Sequence, residues 1–235
     1  SFYYQKVYIK ALRKFEELAA LGEETDLLDQ ADLWRAKTYL QQKNYTEALA
    51  ILNRLKTKAA AEEDDDLAAA VNFEELKYLI SVEKFDEAYK AAANLIKFSS
   101  DPVLNAEVLY KIGDIYYSRN DFKNAAESFR RVVDYSPLYE FEINSRIRYS
   151  VALRKMDNAV EAVRNLLELR SEAKYSDKYD YIDLELGKSY SSLGQYQRAL
   201  TLYYESDTAY TNSVYLGNMR YELATLYEEY YLLYD

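Results

Sequence analysis

Histidine and cysteine, which carry much of protein catalysis, are both absent from this chain. Their absence removes thiolate nucleophiles, disulfide frameworks, thiol or imidazole metal ligands and every Ser/His/Asp arrangement together. What remains is carboxylate, ammonium, guanidinium and phenol: 40 acidic side chains, 30 basic ones and 27 tyrosines. In so acidic a sequence, paired carboxylates occur everywhere and on their own do not mark general acid–base chemistry. No glycine-rich phosphate loop, nucleotide fingerprint or zinc-ligand cluster is found. The densest acidic run, Glu62-Glu63-Asp64-Asp65-Asp66, lacks the glycine and the alternating spacing of a calcium loop. Its charge more simply favours the dipole of a helix starting near Leu67. The expectation is a chain with no catalytic residue, no cofactor and no metal.

The formal charge of -10 repels phosphate backbones and anionic membrane surfaces over a Debye length of about 8 Å, so nucleic acid is not an expected partner. No stretch reaches the ~18 apolar residues of a membrane span, and the N-terminus lacks the basic-then-apolar layout of a signal peptide, so this segment is not expected to insert into a membrane. Lack of cysteine leaves the redox compartment open. The sequence runs from Ser1 to Tyr231-Leu232-Leu233-Tyr234-Asp235 with no polar cap at either end, which reads as a fragment.

Stepping up to the elements, 49% hydrophobic residues with only 5 Gly and 2 Pro favour long helices joined by short connections. A period is present. Its clearest unit runs from Asn105 to Leu138, with Leu109, Ile112-Gly113, Tyr116, Asn120-Asp121-Phe122, Ala125, Phe129, Val132 and Pro137. The pattern recurs around Ala48, Ala88, Ala159 and Ala199, with spacings from Ala48 onward of 40, 37, 34 and 40 residues. Tyr8, Ala11, Phe15 and Leu18 read as the second helix of an earlier unit, and Leu223-Ala224 and Tyr227 as the first helix of a later one. Asp101-Pro102 and Ser136-Pro137 punctuate the ends of second helices.

These residues resemble the tetratricopeptide (TPR) repeat, a 34-residue helix-turn-helix. The resemblance implies an all-α fold, a right-handed α-α superhelix (TPR solenoid) forming one domain over 1–235. Five full repeats fall at 29–62, 69–102, 105–138, 139–172 and 180–213, with partial repeats at 1–28 and 217–235. Small residues at two slots let paired helices approach closely, with Gly113 and Ala125 as the expected contact pair. Residues in excess of 34 are expected in loops, Ala61 to Asp66 and Ser171 to Lys178, rather than inside helices. In 139–172, Ile147 and Ser150 stand where the family has Gly and Tyr.

The resemblance further implies a concave face of first helices that holds a protein or peptide. Position 9, the residue after the small slot, gives Lys37, Lys77, Asp114, Arg148 and Lys188, four of them cations in an acidic chain. With Phe73, Tyr110, Tyr117 and Asn144 they form the candidate groove, suited to an extended or helical peptide carrying acidic groups. Equally open is a solvated face, its cations paired with Glu74, Glu107 and Glu185. The pattern of the carboxylate clamp that holds chaperone C-termini is not met. Tyr39, Tyr116, Tyr190, Tyr196, Tyr203 and Tyr227 fall in packing slots, whereas Tyr3, Tyr4, Tyr139, Tyr204, Tyr210, Tyr215, Tyr230 and Tyr231 stand outside them as interface candidates.

The expected function is therefore a scaffold or adaptor, not an enzyme, with end-to-end self-association as a further expectation. Val108–Tyr117 and Phe122–Phe129 look like segments of bacterial cell-envelope TPR lipoproteins and secretion-associated TPR proteins, which favours the periplasm or cell envelope. The rival readings are a regulatory or substrate-recruiting domain of a larger enzyme, and a helical toroid enzyme, which needs a deep cavity with paired carboxylates.

Overall fold

The computed structural model of the chain describes residues 3–19, 26–135 and 138–234. Among these there are twelve α-helices, two 3-10 turns and no strand. The first helices are α1 (Tyr8–Ala19), α2 (Asp26–Gln41), α3 (Tyr45–Glu62), α4 (Asp65–Ser81), α5 (Phe85–Phe98) and α6 (Pro102–Ser118). They are followed by α7 (Phe122–Val132), α8 (Tyr139–Lys155), α9 (Ala159–Ser171), α10 (Tyr179–Ser192), α11 (Tyr196–Ala209) and α12 (Leu216–Tyr234). Two compact units result, Ser1–Val108 and Leu109–Asp235.

One backbone turn recurs through the chain. Lys6, Lys43, Glu83, Asn120, Asp157 and Gly194 all take positive φ, between 58° and 68°. Each donates its N–H to the carbonyl three residues back, at 2.9–3.2 Å. From Asn44 onward the following residue also reaches back five, as Asn44 does to Tyr39 and Gln195 to Tyr190, both at 2.9 Å. This pairing satisfies the carbonyls at the end of each even-numbered helix from α2 to α10 and reverses the chain into its partner. Only Gly194 is a glycine; the other five accept the left-handed conformation at a cost of about 1 kcal/mol each.

Each reversal makes a hairpin, so α2, α4, α6, α8 and α10 are first helices and α3, α5, α7, α9 and α11 second helices. Next-but-one neighbours in close contact are α2 with α4, α8 with α10 and α10 with α12, all of them first-helix faces. In the first unit the core gathers Leu33, Ala36, Leu52, Leu55 and Val71. The second unit buries Ile143, Ile147, Leu166 and Ile182 in one cluster, and Leu184, Tyr203, Met219 and Leu226 in another. Through Met219 and Leu226, α12 covers the apolar side of α10 and α11.

At the small slot the partner helix brings in an aromatic ring. A Cβ on Gly113 would lie 2.6 Å from the Phe129 ring, and one on Gly187 would lie 2.4 Å from the Tyr203 ring. Gly113 thus makes room for Phe129, which shares a buried cluster with Ala125. Ile147 is fully buried at the same slot, and the residue 16 positions on, the place of Phe129, is the smaller Val163. Ser150, also fully buried, turns its hydroxyl to the Arg146 carbonyl at 3.1 Å.

The expected loops need correction as well. Ala61 and Glu62 belong to α3, which runs for 18 residues to a left-handed cap at Glu63, so that excess lengthens a helix. Asp64 then caps α4 by accepting the Leu67 N–H at 2.9 Å, and α4 begins at Asp65 rather than near Leu67. Asp101 caps α6 in the same way, accepting from Val103 at 2.9 Å, and Pro102 is its first residue. Ser136-Pro137 lies outside the described residues. Among those described, no group of acidic residues is arranged to hold a metal ion, and no helix is long and apolar enough to cross a membrane.

The second insertion forms a 3-10 turn, Ala173–Lys178, whose Tyr175 is fully buried. Its hydroxyl donates to Glu142 at 2.6 Å and accepts from Arg146 at 2.9 Å. Lys174 joins Glu142 at 2.9 Å and Lys178 joins Glu140 at 3.0 Å, which fastens the insertion to the start of α8. Replacing Tyr175 with Phe removes two hydrogen bonds to charged groups while keeping the ring. It is expected to destabilise by about 2 kcal/mol, read as a lower midpoint in thermal unfolding followed by circular dichroism. An unchanged midpoint would mean that the ring alone docks the insertion.

Candidate partner-binding face

In the first unit, Lys37 and Lys77 converge on one carboxylate. Glu74, only 3% exposed, lies 2.6 Å from Lys77 and 3.5 Å from Lys37. Both ammonium groups also sit over aromatic rings, Lys37 4.5 Å from Trp34 and Lys77 4.8 Å from Phe73. A buried carboxylate needs such partners to offset its lost hydration. Phe73 floors a cavity of about 330 Å³ whose charged walls are Lys37, Asp65, Asp66, Glu74 and Asp101.

In the second unit a groove of about 480 Å³ is lined from four first-helix faces. Tyr117 comes from α6; Arg148, Arg154 and Lys155 from α8; Tyr181, Glu185 and Lys188 from α10; and Glu222 from α12. Arg148, Val151 and Lys155 on α8, and Tyr181, Glu185 and Lys188 on α10, follow offsets of three and four residues that share one face of each helix. Arg148 lies over the Tyr117 ring at 4.8 Å and forms an ion pair with Asp114. Burial pushes the Asp114 carboxyl above its usual range, against the pull of Arg148. Glu185 is held by Arg154 at 2.6 Å and by Lys188 at 3.1 Å, and Lys188 also reaches Glu222 at 3.8 Å.

All nine candidate groove residues are half-buried. The structure brings Tyr117, Arg148 and Lys188 to the groove and Phe73 and Lys37 to the first unit's cavity. Tyr110 instead packs edge-on against Phe129 and Phe141, both at 5.6 Å. Asn144 donates to Glu140 at 3.3 Å on the same helix. All four position-9 cations are paired with carboxylates, two of them through Glu74 and two through Asp114 and Glu185.

Arg154, Lys155, Tyr181 and Glu222 escaped the sequence reading. Lys155 stands seven residues past Arg148, a helical offset that returns to the same side of α8, and this spacing could have found it; Arg154, six residues past Arg148, lies about a third of a turn away and carried no such signal. Glu222 sits in the partial repeat, where no complete pattern fixes a register. Of the interface tyrosines, Tyr210 is tied to Asp183 at 2.8 Å and Tyr215 stacks on Tyr181 at 4.6 Å. Tyr139 stacks on Tyr175 at 6.0 Å, and Tyr3 meets Trp34 at 5.0 Å. Tyr4 and Tyr204 remain well exposed; the side chains of Tyr230 and Tyr231 lie outside the described residues.

Helix hairpins joined by one recurring turn, with a charged and aromatic face on their first helices, define a helical-repeat protein. Residues 106–137 match the tetratricopeptide repeat family, and residues 2–65 match a second tetratricopeptide repeat family. The chain thus carries tetratricopeptide repeats over these two stretches. It is 26% identical over 175 residues to human Tetratricopeptide repeat protein 29, an alignment covering 69% of this chain and 35% of that protein. The chain therefore spans about a third of the length of this relative. Among solved structures it is similar in fold to the apo form of RapI, with TM-score 0.74 and 13% identity, covering 97% of this chain and 72% of that one. It is similar also to the TPR-like repeats of a putative kinesin light chain of Podosopora anserina, with TM-score 0.61 and 16% identity, covering 79% and 96% of the two chains.

Proposed function

We propose that this chain is a protein–protein interaction scaffold that holds a polypeptide against the faces of its first helices, and that it is not an enzyme. The observation that carries this reading is the second unit's groove, built by α6, α8, α10 and α12 together and lined by mixed cations, carboxylates and tyrosines. Such a surface suits a polypeptide, which brings charged and apolar groups at regular intervals along one strand or helix. The family, whose repeats are typically non-enzymatic scaffolds, supports the same conclusion. A narrower role in bacterial envelope or secretion assemblies rests only on the two short segments at Val108–Tyr117 and Phe122–Phe129. The human relative lends it no support, and the proposal stops at the scaffold.

The test is site-specific photocrosslinking. A benzophenone side chain at Ser192 or Thr225, on the groove, is expected to trap partners from a lysate of the source cells. The same probe at Gln197 or Thr201, exposed on α11, is expected to trap far fewer. Equal crosslinking from both helix faces would sink the reading.

A further inference from the structure

The charge of the two cavities differs in sign, and this decides what each can hold. In the first unit, Lys37 faces Asp65, Asp66, Glu74 and Asp101, so the cavity is acidic. In the second unit's groove, Arg148, Arg154, Lys155 and Lys188 face Glu185 and Glu222. Counting Asp114, which pairs with Arg148, the groove still holds one more cation than carboxylates, in a chain of net charge -10.

The groove's own ion pairs show which chemistry its cations bind. Arg154 and Lys188 converge on the Glu185 carboxylate at 2.6 and 3.1 Å, and that side chain is only 7% exposed. The carboxylates do not exhaust the guanidinium donors: the buried Nε–H groups of Arg148 and Arg154 find no acceptor among the described residues. Lys155 is exposed at the groove edge, free of ion pairs among the described residues. Tyr117 and Tyr181 supply ring surface beside these donors. Guanidinium and ammonium groups next to aromatic rings fit carboxylates carried on a chain that also offers apolar contact.

We infer that the groove of the second unit takes an acidic peptide segment of the partner, with Lys155 as its outermost anchor. The first unit's cavity, of opposite sign, takes no part in holding those carboxylates. This rests on the scaffold reading and narrows its partner class. A nucleic-acid strand would meet the same cations, but the field of the whole chain opposes its many phosphates.

The experiment selects a phage-displayed library of random 12-residue peptides on the immobilised full chain, then measures the recovered peptides by fluorescence anisotropy. Recovered sequences are expected to be rich in Asp and Glu, and to bind more weakly as sodium chloride rises. Lys155→Glu is expected to weaken them about ten-fold, with Lys155→Gln intermediate, while Lys90→Gln, exposed on α5 of the first unit, leaves affinity unchanged. Neutral or basic peptides, or acidic ones indifferent to Lys155→Glu, would overturn this inference and leave the scaffold reading standing. Recovery of no binding peptide would count against both. Equal binding of a 12-nucleotide poly-uridylate would overturn the peptide assignment in favour of a phosphate backbone.

Discussion

Gly187→Ala is expected to destabilise the Leu109–Asp235 unit by about 3 kcal/mol, the upper end of the cost of overpacking a core. For a chain of this length that corresponds to a fall of roughly 6–12 °C in melting temperature, read by differential scanning fluorimetry. The added methyl would sit 2.4 Å from the Tyr203 ring. That ring is 1% exposed and its hydroxyl donates to the Leu184 carbonyl at 3.2 Å, so it can neither swing into solvent nor tilt without losing a buried hydrogen bond. The hairpins themselves suggest the remedy. The small slot and the residue 16 positions on read Ala36 with Leu52, Leu76 with Ala92, Gly113 with Phe129, Ile147 with Val163 and Gly187 with Tyr203. Where the first is glycine the second is an aromatic ring; where the first carries a side chain the second is aliphatic. In the four pairs other than Ile147 and Val163, bulk at one member is offset by its lack at the other, and cores tolerate such compensated changes better than a change in one member alone. Gly187→Ala with Tyr203→Leu reproduces the Ala36 and Leu52 pair. It is expected to be more stable than the sum of the two single changes by about 1 kcal/mol or more, as for residues in contact. Additive losses, or an alanine at 187 tolerated within 2 °C of the parent (roughly the resolution of one such measurement), would show that the ring yields and the trade is accidental.

This trade also explains why the fold was legible. The period of apolar and small residues fixes hairpins because each slot is read by its neighbour in space, so five repeats can be drawn without one glycine being shared by all. Ile147 fits at the slot without a glycine because the residue 16 positions on is Val163 rather than a ring. The turns were harder to see. Lys43, Glu83, Asn120 and Asp157 hold positive φ without the glycine that usually signals it, since two backbone hydrogen bonds per turn outweigh the local cost. The Ala173–Lys178 insertion left no periodic trace: Tyr175 is buried by contacts to Glu142 and Arg146, about 30 residues away in sequence. The groove was half legible for a similar reason. Position 9 points to the face, and Arg148 and Lys188 lie on it, but whether a cation is free or paired depends on carboxylates supplied by neighbouring hairpins. Glu74 neutralises Lys37 from the next hairpin, a contact that no spacing within one repeat encodes.

The pair of Arg154 and Glu185 allows stability and recognition to be separated. Arg154→Ala is expected to cost about 3 kcal/mol, because removing one partner of a buried ion pair leaves the other charge insufficiently compensated. Both side chains are largely buried, 13% and 7% exposed. Lys188 stays 3.1 Å from Glu185, which keeps the loss at the low end for such pairs, with a melting temperature lower by roughly 6–12 °C. Arg154→Met combined with Glu185→Leu removes both charges and fills their space, and is expected to recover most of that stability, since apolar replacements of buried pairs are often neutral or better. If the double variant is as unstable as Arg154→Ala, the charges are structural and the groove reading loses one of its supports. If it is stable yet no longer retains the acidic peptides selected on the parent chain, the pair serves the face rather than the fold. An ion pair that adds little to folding but holds two cations in place along a groove is better explained by what the groove has to bind.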